Sequence, residues 1–427
     1  MKRLHLLPWQ RNLWAIVVAE VMALLSFQAS FILIPYYIQE LGITDVAEIA
    51  AWTGAFQSIG AIGFTIATPI WGALGDRYGR KPMLVRAMVA TSLVLIGIGL
   101  VRTPAQLMAL RAVQGFFTGT PAAATALVAT GSPKARLAYA LGLVQTSLFV
   151  GSTLGPMAGG FIADALGYRA TFFGGGAIVF LALLLVIVVV REPEESAAIA
   201  ARARGESPLT GFRAILGSPG LLALIAMVFA VGLTYGLLGP ALPIYVQQLV
   251  GSRERIASIA GTITSVGAFS AAVSALVVGR VSDRLGHRRT LLTCSVGMSI
   301  LYFPQALVRS AAGLGVVRGM QGFFQGGISP SLNAMVVSLA PKDKVGAALG
   351  LSSSASSAGS AIGPVLGALI VAGTPTTTVF YIAGIVFALV TVVNALVGAR
   401  TPTASVAPEP TPPPTPEPRP AAHRDRA

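Results

Sequence analysis

A chain of 427 residues that is 54% apolar, only 11% charged and positive in mean hydropathy excludes an ordinary soluble protein, in which about a quarter of residues carry charge. The net charge of +14 would suggest a nucleic-acid partner in a soluble protein, so its distribution along this chain decides its meaning. The single cysteine, Cys294, excludes an intrachain disulfide, and His5, His287 and His423 all fall outside the apolar segments, which argues against an intramembrane metal site.

A helix needs roughly 20 apolar residues to cross a bilayer. Twelve segments qualify in chain order: 12–38, 50–72, 83–101, 104–130, 137–163, 169–190, 219–248, 256–279, 290–308, 311–339, 345–371 and 376–398. The first is too long for the apolar region of a cleavable signal and reads as a retained span. Six spans form an N-terminal bundle over 1–190. A charged connector follows over 191–218, interrupted at Pro208. A second six-span bundle fills 219–400, and the Pro-rich tail 401–427 cannot bury a core. The expected class is an all-α polytopic membrane protein.

An even number of spans puts both termini on one side. The loops on that side hold 23 Lys and Arg, the opposite loops hold 5, and Arg111 and Arg318 sit inside spans. The bias places both termini in the cytoplasm and explains the basic charge without nucleic acid. The expected location is the cytoplasmic (inner) membrane, with the lipid bilayer as surroundings.

The chain is two copies of one design. Gly72 to Lys81 packs Asp76, Arg77, Arg80 and Lys81 into a tight turn, and a second copy with Asp283 and Arg284 lies 207 positions later. Arg111-Ala112-Val113-Gln114-Gly115 returns at the same offset as Arg318-Gly319-Met320-Gln321-Gly322. Gly151 to Pro156 returns 208 positions later as Gly359 to Pro364. Internal repeats across a hydrophobic chain point to a secondary transporter with its substrate site between the halves near mid-membrane.

With these motifs the chain resembles the major facilitator superfamily, and specifically its twelve-helix drug:proton antiporters. The resemblance implies a major facilitator fold of 12 transmembrane helices in two pseudo-symmetric six-helix bundles. Gly72, Asp76, Arg77, Gly79, Arg80 and Lys81 match the signature that latches the cytoplasmic gate, with Asp283 and Arg284 in the second copy. Arg111 matches a helix-4 motif associated with proton coupling, and an arginine inside a span normally faces the bundle interior or a cavity. Gly151, Gly155, Pro156, Gly159 and Gly160 resemble the signature that marks antiporters, especially drug exporters. Small residues at four-residue spacing also suit a tight helix seam.

A proton-driven carrier needs a titratable group that both sides reach in turn. Glu20 is the one acid left within a span, and it is the expected proton carrier. At 1.5 Å per residue, Glu20 lies roughly 12 Å and Arg111 roughly 28 Å above the inner helix end, so direct contact is not expected. Gln28, at roughly 24 Å, is the expected neighbour of Arg111. Some multidrug relatives carry acids at both helix-1 positions, whereas this chain has Glu20 and then Gln28.

Gln28, Phe31, Tyr36, Gln57, Gln145, Tyr235, Tyr245, Gln325 and Asn333 are the expected cavity wall, suited to varied lipophilic or cationic compounds. No nucleotide-binding signature is present. The expectation is therefore a secondary exporter of small lipophilic or cationic drugs in exchange for protons. It is not an enzyme, uses no cofactor or metal beyond the proton gradient, and functions as a monomer. The alternative is a narrow metabolite or sugar exporter or facilitator without coupling through Glu20.

Overall fold

The computed structural model describes residues 7–192, 218–251, 254–341 and 344–400. Most of the connector, the tail, and the side chains of Asp76 and Asp283 lie outside the described residues. Everything described is helical. The first half contains α1 (Pro8–Phe31), α2 (Ile34–Glu40), α3 (Val46–Tyr78), α4 (Arg80–Leu100), α5 (Pro104–Phe117), α6 (Thr120–Gly131), α7 (Leu137–Leu166) and α8 (Tyr168–Val189). The second contains α9 (Pro219–Val250), α10 (Ile256–Leu285), α11 (His287–Leu307), α12 (Ala311–Leu339), α13 (Val345–Gly373) and α14 (Thr378–Arg400).

Two of the expected spans are each made of two helices. The segment 12–38 becomes α1 and α2, separated by Ile32 and Leu33, because Pro35 has no N–H to continue the ladder. The segment 104–130 becomes α5 and α6, a correction to the single helix expected there. Gly119 takes a left-handed conformation (φ 118°) and Pro121 follows two residues on, so the backbone bonds stop at Thr118 and resume at Ala123. In the repeat mate the ring comes later, at Pro330, and α12 runs on unbroken. Ten helices are individually long and apolar enough to cross a bilayer. The two remaining spans are α5/α6 and α12, the pair that carries Arg111 and Arg318.

The pseudo-symmetry is written into matched side-chain bonds. Tyr37 donates to Ile98 O at 2.9 Å and its mate Tyr245 to Val308 O at 2.9 Å. Each ring packs on a phenylalanine, Phe172 or Phe380, at 4.9 and 5.1 Å between centroids. Ser92 donates to Gly176 O and Ser299 to Gly384 O, both at 2.9 Å. These buried phenols and hydroxyls are thereby satisfied without breaking helix backbone bonds.

The halves meet along two seams, α7 with α10 and α3 with α13. Among the described residues, every hydrogen bond between them falls in the part of the spans far from the termini. Tyr36 donates to Pro243 O at 3.0 Å, Gln39 and Gln247 bond reciprocally at 2.9 Å, and Met157 N donates to Ser265 Oγ at 3.1 Å. At that end Ala257 N and Ser258 N donate to Asp164 at 3.3 and 2.8 Å, so a first-half carboxylate caps a second-half helix N-terminus. Nearer the termini, Tyr139 on α7 and Phe269 on α10 are exposed. The molecule is closed at the far end and splayed at the end that carries its termini.

Candidate functional site

The splayed halves enclose a cavity of about 600 Å³. Its first-half wall is α1 (Phe27, Gln28, Phe31), α3 (Gln57, Gly60) and the α5/α6 break (Arg111, Thr118, Thr120). The opposite wall is α9 (Tyr235, Leu238), α11 (Tyr302) and α12 (Arg318, Gln321, Gln325). Among the described residues no carboxylate lines it. Its only full charges are two guanidinium groups.

Arg111 is 7% exposed and locked in place. Its Nε donates to Phe56 O at 3.0 Å and its Nη1 to Gln114 Oε1 at 2.5 Å. The rings of Phe27, Phe31 and Phe56 surround the guanidinium at 5.8, 5.4 and 4.7 Å. Gly60 makes the slot, since a Cβ there would lie 2.2 Å from Arg111 Cζ. Arg318 keeps the one-turn bond of its mate, with Nη1 donating to Gln321 Oε1 at 3.1 Å, but its Nε has no partner. Gln321 Nε2 is also buried without an acceptor. Neither arginine forms an ion pair among the described residues.

Glu20 is 0% exposed and stands one layer behind the wall. Thr120, the first residue of α6, donates its hydroxyl to Glu20 Oε1 at 3.0 Å, while Oε2 is buried with no donor. The unpaired N–H groups at the start of α6 place the positive end of a half-helix beside this carboxylate. Glu20 and Arg111 do not bond to each other. Gln28 and Arg111 both line the cavity, without a hydrogen bond between them.

Four residues expected on the wall lie elsewhere. Tyr36 is spent on the inter-half bond at the closed end, and Tyr245 points away from the cavity into its own half, toward Val308 and Phe380. Gln145 and Asn333 are exposed and outside the lining. Helix-facing is what decides this, and hydropathy alone does not report it for helices apolar on all sides. Gln114, Gln321, Thr120 and Tyr302 were missed. The signal for the two glutamines was the repeated Arg-x-x-Gln spacing, which puts the amide one turn above the guanidinium.

The small-residue helix α7 makes two seams. Along α1, a Cβ on Gly151, Gly155 or Gly159 would lie 2.6 Å from Leu24 Cβ, 2.7 Å from Gln28 Cβ and 2.3 Å from Ala29 O. Toward α10, a Cβ on Gly160 would lie 2.2 Å from Ala257 O, and one on Gly261 would lie 2.1 Å from Pro156 O. Its mate α13 repeats the first seam on α9 through Gly359, Gly363 and Gly367.

The sequence profile described as Major Facilitator Superfamily matches residues 16–257 and 224–426. The chain belongs to the major facilitator superfamily. It is 30% identical over 400 residues to the "Multidrug resistance protein MdtG" of Escherichia coli (strain 55989 / EAEC), covering 93% of this chain and 97% of that protein. The protein of the same name from Rahnella sp. (strain Y9602) is 30% identical over 379 residues, 88% of this chain and 91% of its own. Among solved structures, the nucleoside transporter NupG superposes with a TM-score of 0.74 at 13% identity, over 91% of this chain and 100% of that one. A bacterial homologue of the human lysosomal transporter Spinster, solved inward-facing and unoccupied, gives 0.70 at 14% identity, over 92% and 96%. These likenesses show the fold. The protein is thus a multi-pass membrane transporter of this superfamily.

The superfamily's loop signature occupies the turn from α3 to α4. Gly79 (φ 101°) both ends α3 and starts α4, a geometry that leaves no room for a loop. Arg80 N and Lys81 N both donate to the carboxylate of Glu192, the latter at 3.2 Å, and Lys81 Nζ donates to Ile187 O at 2.9 Å. The start of α4 is therefore tied to the chain just past α8. Arg77 lies 5.4 Å from the Tyr78 ring. Gly72 has open space around it and Arg284 is exposed. In the second copy, Gly286 (φ 91°) makes the same turn and Arg288 Nη2 donates to Ala395 O at 2.9 Å. Glu192 was missed because its only sequence context was a charged connector.

Proposed function

We propose that the protein exports small lipophilic compounds across the cytoplasmic membrane in exchange for protons, by rocking of its two halves. The observation that carries this reading is a mostly apolar cavity between halves that are closed at one end only, with one fully buried acid reached through a residue of the cavity wall. Glu20 is the proton carrier, and Thr120, which lines the cavity and donates to it, is the group through which the cavity communicates with it. The relatives named multidrug resistance proteins support drug efflux as the class of transport. With both termini in the cytoplasm, the splayed end faces inward and the cavity is in its loading state. A single chain holds the whole cavity, so the monomer suffices.

The test is efflux of the neutral dye Nile red from cells expressing the wild type or Glu20→Gln, with and without a protonophore. Efflux should stop with the protonophore, and Glu20→Gln should reproduce that loss at equal membrane abundance. Efflux indifferent to both would remove proton coupling through Glu20.

A further inference from the structure

The repeat mates Arg111 and Arg318 start from the same sequence and end in different states. Arg111 is caged by three phenyl rings and two acceptors. Arg318 faces the same cavity with its Nε unpartnered, beside Tyr235 and Tyr302. One turn away, Gln321 is 2% exposed with its Nε2 also unpartnered. A buried donor left without an acceptor costs free energy comparable to a lost hydrogen bond, and two adjacent ones are uncommon in a settled core. Both are donors, and no carboxylate shares the wall among the described residues. A cation entering here would meet two guanidinium groups and no counter-charge.

We propose that Arg318 and Gln321 form the head-group site for an amphipathic organic anion. One oxygen of a carboxylate, sulfonate or phosphonate accepts from Arg318 Nε and another from Gln321 Nε2. The apolar body lies across the cavity on Phe27, Phe31 and Leu238. This names the substrate class of the export reading and rests on the cavity being the substrate site. It replaces the cationic half of the sequence expectation, because Glu20, the acid that was to attract a cation, stands behind the wall.

Three naphthalene probes of one size test it: naphthalene-1-sulfonate, naphthalene-1-sulfonamide and 1-naphthylmethylammonium. Binding to the purified full-length protein in phosphatidylcholine nanodiscs is measured calorimetrically, with no gradient, so the outcome is independent of proton coupling. The sulfonate should bind at least about tenfold more tightly than the ammonium, as one charge-assisted bond to a buried site implies. Arg318→Gln should weaken the sulfonate by about tenfold or more while moving the sulfonamide by less than about threefold. Should Arg318→Gln not fold, Arg318→Lys and Gln321→Leu carry the test, each weakening the sulfonate selectively. An ammonium that binds as tightly as the sulfonate, variants that leave the sulfonate unchanged, or no binding of any probe overturns the anion site. In those cases the Nile red experiment still decides the export reading on its own.

Discussion

Gly160→Ala should open the closed end of the transporter. The added Cβ would sit 2.2 Å from Ala257 O and 2.6 Å from Ala257 C, where ordinary contact begins at 3.4 Å. Helices α7 and α10 must therefore separate by about 1.2 Å at that point, and the neighbouring atoms are backbone, which cannot swing aside. Overpacking of this kind costs about 1–3 kcal/mol. The cost falls only on the conformation in which these helices touch at this end, so the equilibrium between closed and open far ends should move by about 5- to 150-fold. The two bonds to Asp164, which need the same approach, would be strained with it. The assay uses the reciprocal pair at the far end. In a Cys294→Ala background, Gln39→Cys with Gln247→Cys should form a disulfide readily, and adding Gly160→Ala should slow that reaction by at least about fivefold. A cross-linking rate unchanged by Gly160→Ala would refute the reasoning, because it would mean that the seam yields without separating the helices.

Gly60→Ala should lower the thermal stability of the purified protein by about 1–3 kcal/mol, because the new methyl occupies the slot of the Arg111 guanidinium. Gly72→Ala, with open space around it, should leave the melting temperature unchanged and serves as the control. Glu192→Gln should cost about 1 kcal/mol in the same measurement by weakening the carboxylate cap on Arg80 N and Lys81 N. An unchanged melting curve for Glu192→Gln would mean that water replaces the cap at no cost.

The fold was readable in the sequence because its signals are redundant. Apolar length marks the spans, and the repeated Gly-rich turn and Arg-x-x-Gln run give the two halves in register. What stayed hidden depended on geometry at the scale of single turns. The break at Gly119 requires Pro121 two residues on, and the same Gly with a later proline in the other half leaves α12 whole. The facing of Tyr36 and Tyr245 was hidden because both helices are apolar on every side. For Tyr245 the decisive partner is the carbonyl of Val308, 63 residues away. Glu192 was illegible for the same reason. A single acid in a charged stretch carries no sign that it will reach back 112 residues to Arg80.

The symmetry of the chain is kept where it serves the frame and lost where it serves the cargo. Tyr37 and Tyr245, Ser92 and Ser299, and the reciprocal Gln39 and Gln247 hold equivalent positions in both halves, as two bodies that rock against each other require. At the cavity the mates diverge. On one wall Arg111 is sealed behind phenyl rings next to a broken helix whose exposed N-terminus faces Glu20. On the other wall the helix is whole, and Arg318 and Gln321 keep donors free. A cavity with two equivalent walls would offer a substrate and a proton the same site. The broken helix gives the acid a place of its own, behind Thr120, and leaves the unbroken half to hold the ligand. The two events are then coupled through the motion of the halves rather than through competition for one carboxylate.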